Sequence, residues 1–387
     1  MLFYPLISSA QVNIDWVADT SGLSIALDSA DNVFTINYEY NPGGDIYLTK
    51  RDLNGTFLWE ASYNNTDNTR HEVATWVAAD RNGNAIVSGT IRSGYSNPVN
   101  AASMLMKFDP DGNLLWRVVY ENSFDGSYTK KCLVDSSNNI YVLGMGTGSK
   151  GFTLKVKKFA PDGTAIWTFN DSLGIGAPIN FKFTPDGNLV LIGRARIGSI
   201  NGYAKIDTSG QQIWTYGGVS SLTVGDADGD DFGNTYLVHG EYVSNGGCQI
   251  KKIGPGGNLV WDKTYSLSAF RIEVGIDNQP VICGFPNPNV GGSSFLKADE
   301  DGDVVWFNED ADTPHNLLLH AQLLMDASDN IYLAAGTLFE MAVCKVNSDG
   351  SNAWTKLMPR SYANAFELGK EEDVNVTGGA TVKLGQG

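Results

Sequence analysis

Seven times in this chain a glycine stands four residues ahead of a tryptophan: Gly55 and Trp59, Gly112 and Trp116, Gly163 and Trp167, Gly210 and Trp214, Gly257 and Trp261, Gly302 and Trp306, Gly350 and Trp354. An offset kept that often marks a repeat of about fifty residues, a supersecondary unit that buries its core only against its neighbours. Before each glycine a short strand runs into turn residues, as in Met106-Lys107-Phe108-Asp109-Pro110-Asp111-Gly112. A second anchor, the segment Asp135-Ser136-Ser137-Asn138-Asn139-Ile140-Tyr141-Val142-Leu143-Gly144, recurs near Asp28, Asp80, Thr184, Asp230, Gly275, Asp326 and Gly369. That gives eight copies against seven glycine–tryptophan pairs. The unmatched tryptophan is Trp16, which lies too near the start of the chain to have a turn glycine before it.

The two ends of the chain are complementary. Thr381 to Leu384 reads as the strand before a turn, and Gly385-Gln386-Gly387 stops short of the turn glycine, while a strand over about Val12 to Ala18 begins where that turn would have ended. Each repeat reads as four antiparallel strands. The expected fold is therefore all-β: an eight-bladed β-propeller of four-stranded antiparallel blades, closed by the N-terminal strand completing the last blade. Blade eight takes its first three strands from about Phe366 to Leu384. Closure of this kind pairs strand edges that would otherwise lie open. The propeller occupies residues 12–387, and residues 1–11 form an apolar arm or the remnant of a signal peptide.

At 387 residues, length alone would suggest two or three domains, but a closed repeat array escapes that prior. Gly 44, aromatics at 11% and charged residues at 18% describe a turn-rich, strand-rich globular protein. The net charge of -16 argues against a nucleic-acid partner, which needs clustered Lys and Arg. No apolar run is long enough for a membrane span. Cys132, Cys248, Cys283 and Cys344 fall at dissimilar places in different repeats, without close CxxC spacing, and read as buried free thiols. Ser8-Ser9-Ala10 before Gln11 resembles a signal-peptidase site, yet no Lys or Arg occurs before Lys50. The start of the chain is either the stub of an export signal or a genuine apolar arm.

Alternation places Ile25 and Leu27, Cys132 and Val134, Phe181 and Phe183, Ile272 and Val274, Leu323 and Met325, and Phe366 and Leu368 on one packed face of successive inner strands. The opposite positions, Lys131, Asn180, Lys182, Asp226, Asp228, Arg271, Glu273, Gln322 and Glu367, should then line the central pore and one rim. The outer-strand tryptophans are read as structural fillers of the seam between blades, each losing roughly 3–5 kcal/mol on truncation and each needing a partner for its indole N–H.

The run from Asp45-Ile46-Tyr47-Leu48-Thr49-Lys50 through Gly55-Thr56-Phe57-Leu58-Trp59 to Asp80-Arg81-Asn82-Gly83-Asn84-Ala85-Ile86-Val87-Ser88-Gly89-Thr90 resembles the bacterial β-propeller repeat known as SBBP. The resemblance covers nearly the whole chain and implies a secreted or surface-exposed protein without established chemistry. The pattern Asp109-x-x-Gly112-x-x-x-Trp116, seen again from Asp52, Asp207 and Asp299, is similar to the tryptophan-docking motif of quinoprotein-like eight-bladed propellers. It implies eight blades but no quinone cofactor, because the vicinal Cys-Cys and acidic cofactor-site motifs are missing.

Among local candidates, Asp226-Ala227-Asp228-Gly229-Asp230-Asp231 offers three carboxylates at alternate positions, the hard oxygen donors Ca²⁺ prefers. An EF-hand would want Gly at Asp231 and Glu at Leu237, and an integrin-type loop Gly at Asp231 and Asp at Asn234; Asp230 also fills the ordinary turn position. Lys131, Lys182 and Arg271, with Glu273 beside them, form a candidate channel site for an anionic or sugar ligand, set against a lining that neutralises itself and holds water. His71, His239, His315 and His320 pair with no Ser or Cys in a nucleophile motif. The longest insertions are Tyr63 to Glu72 and Arg92 to Ala102; Tyr95 and Trp76 nearby are read as exposed aromatics suited to stacking on a sugar or a partner protein, the alternative being a mobile loop.

These observations favour a non-enzymatic binding or scaffold propeller displayed outside the cell, recognising protein or glycan at one rim and requiring no cofactor. The alternatives are a structural component of a virion or surface appendage, and a glycan-acting enzyme with two carboxylates at the pore, roughly 5–9.5 Å apart. Oligomeric state is left open.

Overall fold

A computed structural model of the chain describes residues 13–18, 21–39, 45–64, 71–92, 101–120, 128–148, 151–170, 176–194, 200–220, 225–241, 247–285, 293–309, 319–336, 340–359, 363–378 and 380–385. These residues form eight four-stranded antiparallel sheets set in a ring. In seven of them the strands follow chain order from the inner to the outer edge. The eighth is composite: Ala363–Leu368 lies innermost, followed by Val374–Gly378, Thr381–Gly385 and, outermost, the N-terminal strand Asn13–Ala18. Trp16 stands opposite Lys383, Val17 opposite Val382 and Ala18 opposite Thr381. The closure expected from the sequence is thus present, with blade eight starting three residues earlier than its expected Phe366.

The inner strands are Ser24–Leu27, His71–Ala79, Tyr128–Val134, Ala177–Phe183, Asp226–Gly229, Ser268–Val274, Leu319–Met325 and Ala363–Leu368. One face of each buries apolar residues against the preceding blade, as expected for Ile25, Cys132, Phe181, Ile272, Leu323 and Phe366. Typical of the seams, Tyr141, Leu143, Leu154 and Val156 of blade three pack on Phe181, Leu189 and Leu191 of blade four. All four cysteines are buried and unpaired, in agreement with their sequence reading.

A device that the sequence reading overlooked recurs in every blade. Each outer-strand tryptophan faces a third-strand lysine: Lys50 and Trp59, Lys107 and Trp116, Lys158 and Trp167, Lys205 and Trp214, Lys252 and Trp261, Lys297 and Trp306, Lys345 and Trp354, and across the closure Lys383 and Trp16. Among the described residues, both side chains donate to one carbonyl in the next blade's outer turn in five blades. Pro110 O, for example, accepts from Trp59 Nε1 at 2.8 Å and from Lys50 Nζ at 3.3 Å. Among the described residues seven of the eight lysines, all but Lys252, also pair with an aspartate of their own blade's inner turn, as in Lys107–Asp80 at 2.9 Å. The tryptophan ring lies against the turn glycine. At Gly112, φ is +89° and a Cβ would come within 2.9 Å of Trp59, so both backbone conformation and space demand glycine there.

The seam between blades four and five departs from this pattern. Trp214 turns inward until it is 5% exposed, and its indole N–H has no partner among the described residues, where the sequence reading expected one. Lys205 donates instead to Gly233 O at 2.8 Å. The facing turn, Gly254-Pro255-Gly256-Gly257, begins with glycine where four other blades have aspartate, at Asp52, Asp109, Asp207 and Asp299.

Candidate functional site

Counting back from the first residue of each inner turn generates two rings of side chains on the inner strands. Four residues back are Ser24, Trp76, Lys131, Asn180, Asp226, Arg271, Gln322 and Ala365; two back are Ala26, Ala78, Leu133, Lys182, Asp228, Glu273, Leu324 and Glu367. In blades two, three, four and six the ladder shifts by one residue just before Trp76, Lys131, Asn180 and Arg271, a β-bulge that re-aims the following side chain. Every polar pore position expected from the sequence belongs to one of these rings.

Part of this lining stitches the ring together. An inner strand is a sheet edge, and its N–H groups need acceptors from outside the blade. The Ser24 hydroxyl accepts from Val77 N at 3.2 Å, Asp226 Oδ2 from Ile272 N at 3.2 Å, Asp228 Oδ2 from Val274 N at 2.9 Å and Gln322 Oε1 from Phe366 N at 2.9 Å. Asp226 and Asp228 are therefore bound to the neighbouring blade. Asp230 belongs to the inner turn, where its carboxylate accepts from Phe232 N, Asn234 and the Tyr236 hydroxyl. Among the described residues no group of three His, Cys, Asp or Glu side chains is placed to hold a metal ion. Each of the three carboxylates that the sequence offered as a Ca²⁺ loop thus accepts hydrogen bonds within the protein.

Blades four to six fill their side of the channel with charge. Lys182 Nζ lies 2.5 Å from Glu273 Oε1, 3.8 Å from Asp226 Oδ2 and 3.0 Å from Ile272 O. Burial alone would lower this ammonium, but Asp226, Glu273 and Asp228 around it hold it well above the ordinary lysine range. Arg271 donates to Phe270 O at 2.7 Å. Of the three cations considered as an anion site, Lys182 is already neutralised, and only Lys131 faces the open side of the channel.

That open side lies against blades eight, one, two and three, where Ala26 and Ala78 project little into the channel. The result is a cavity of about 470 Å³ walled by Ala26, Trp76, Ala78, Lys131, Leu133 and Glu367, with Asp31 and Lys370 at its mouth. Trp76 stands on the inner strand of blade two, inside the channel rather than at a loop rim. Lys131 Nζ sits 5.0 Å from the centre of its ring and 3.1 Å from Asn180 Oδ1. Burial, reinforced by the nearby Lys182 charge, lowers the Lys131 ammonium to about 8 against the pull of Glu367, Asp226 and Glu273. Burial raises the Glu367 carboxyl to about 7, opposed by Lys131. Tyr95 and His315 lie outside the described residues, as does the side chain of His320. Sequence periodicity found Lys131 and Glu367 as pore residues, but the vacancy beside them follows from two alanines that drew no notice.

No family model matches the chain, and no curated protein matches it. Among solved structures, the Dos1 propeller is similar over 98% of this chain and 95% of its own, with 9% identity and a TM-score of 0.63. A eukaryotic initiation factor is similar over 88% of this chain and 78% of its own, with 9% identity and a TM-score of 0.51. At such identities the likeness is one of fold. In the described residues no helix is long and apolar enough to cross a membrane.

Proposed function

We propose that this propeller is a binding module whose ligand is a glycan entering the cavity between blades eight, one, two and three. The observation that carries the reading is the pairing of volume and lining: about 470 Å³ bounded by an indole, an ammonium, a carboxyl group and small apolar residues. A saccharide ring presents an apolar face to such an aromatic and a rim of hydroxyls to such polar groups, the division of labour found in small-molecule sites. The charged half of the channel supports the ring itself, since its aspartates bind the adjacent backbone and its lysine is ion-paired. The SBBP-like repeat supports display outside the cell. Glycan-array screening followed by calorimetric titration tests the proposal. Trp76→Ala should weaken a captured glycan at least about tenfold, the loss expected on truncating a central aromatic anchor, while Trp76→Phe retains most of the affinity. Absence of any glycan ligand, or binding indifferent to Trp76→Ala, would rule it out.

A further inference from the structure

Lys131 differs from the other lysines around it. The eight lysines that face the tryptophans are committed to the clasp between blades, and Lys182, Lys251 and Lys263 each lie against a carboxylate. Among the described residues Lys131 has a single, neutral hydrogen-bond partner, Asn180, and an aromatic face, Trp76, and no carboxylate stands within ion-pair distance of its Nζ. It lines an open cavity that also holds Glu367. We propose that Lys131 is a carbonyl-capturing amine, which fixes an aldehyde-bearing ligand, such as the open-chain end of a reducing sugar, as an imine in the channel cavity with Glu367 shuttling the protons. The inference rests on the cavity being the ligand site and deepens that reading from reversible contact to covalent capture.

The step balances without an oxidant or reductant. Uncharged Lys131 Nζ attacks the aldehyde carbon, the C=O π pair moves to oxygen, and proton transfer gives a carbinolamine. Protonated Glu367 gives its proton to the carbinolamine hydroxyl, which leaves as water as the nitrogen lone pair forms the C=N bond. The Glu367 carboxylate then takes the remaining N–H proton, so amine and aldehyde become imine and water. The electrostatics suit these roles. Desolvation and the Lys182 charge, against Glu367, Asp226 and Glu273, leave Lys131 far richer in free amine near neutrality than a solvated lysine, and burial keeps Glu367 supplied with a proton at the same pH.

Reductive trapping tests this on the intact protein. Glyceraldehyde and cyanoborohydride at pH 7, followed by peptide fragmentation that resolves Lys131 from the adjacent, exposed Lys130, should label Lys131 at least tenfold faster than the median lysine. Glu367→Gln, with circular dichroism unchanged, should slow that labelling several-fold while leaving the other lysines alone. Labelling of Lys131 no faster than the median lysine overturns the inference, and unchanged labelling in Glu367→Gln overturns the role given to Glu367. The two proposals separate cleanly: selective trapping at Lys131 in a protein that binds no glycan upholds covalent capture and removes the glycan reading, whereas Trp76-dependent glycan binding with Lys131 untrapped removes covalent capture alone.

Discussion

At His239 the chain buries an imidazole completely, edge-on to Tyr203 at 5.2 Å between ring centres and tilted to Tyr216 at 6.4 Å. Neither ring nitrogen has a hydrogen-bond partner among the described residues. Burial, with Lys251 adding to it and Asp262 opposing, lowers this histidine from 6.5 to about 4. The folded state therefore takes up the proton later than the unfolded chain, so the stability tied to neutral His239 is whole above pH 6.5 and is lost as pH falls from there towards 4. His239→Phe should remove that loss, which is on the order of 3 kcal/mol across the window. The difference in unfolding free energy between wild type and variant, measured by urea denaturation at pH 7, 5.5 and 4.5, checks it, and parallel pH profiles would refute it. Comparison with the variant is needed because Glu367, raised to about 7, contributes stability of the opposite pH dependence as it protonates. In sequence His239 was one of four scattered histidines, and its burial was hidden because it lies on a second strand enclosed on both faces. Trp214 was misjudged for a related reason: its offset from Gly210 is the same as in every repeat, and only the glycine-rich turn opposite, beginning at Gly254, hints that its N–H lacks the usual site.

At the level of the strand, the clearest lesson concerns spacing. A lysine stands nine residues before each of seven tryptophans, from Lys50 and Trp59 to Lys345 and Trp354, so the clasp was legible as a periodicity. It went unread because a lysine suggests solvent, whereas Lys107 is only 5% exposed. The bulges before Trp76, Lys131, Asn180 and Arg271 had no such signal, since one extra residue in a strand leaves its composition unchanged. Alternation over the residues next to each inner turn nevertheless placed the pore residues, because the bulge lies on the far side of them. The closing strand rests on the same logic and makes a register-specific prediction. Val17 and Val382 stand opposite one another, where two cysteines in adjacent antiparallel strands come within bonding reach. Val17→Cys with Val382→Cys should form a disulfide under mild oxidation and raise the thermal midpoint, with a gain of up to about 4–5 kcal/mol because the bond closes almost the whole chain. Shifting one cysteine to Trp16 should abolish crosslinking; equal crosslinking by both pairs would contradict the register.

Over the whole ring, stability is spread through a repeated carboxylate. Asp28, Asp80, Asp135, Asp186 and Asp326 each sit in an inner turn; burial pushes every one of them up, yet hydrogen bonds from turn residues, joined by the clasp lysine at Asp28, Asp80 and Asp186, outweigh it and hold all five below the ordinary 3.8. The linkage sign is opposite in origin to an acid raised by burial: stability is full above about pH 4 and falls as pH drops through the depressed folded values. Five groups titrating together make the acid transition steep, each proton adding roughly 1.4 kcal/mol per pH unit to the slope. They lie in five different blades, and each aspartate that binds a clasp lysine also steadies the donor to the next blade, so failure in one seam releases its neighbours. Loss of backbone ellipticity and of tryptophan fluorescence should therefore coincide in one transition below pH 4, because eight of the nine tryptophans report on the outer strands while the backbone signal reports on all four. Two separated acid transitions would mean that the blades hold independently, and that the end-to-end pairing of Trp16 with Lys383 does not bind the eight into a single cooperative unit.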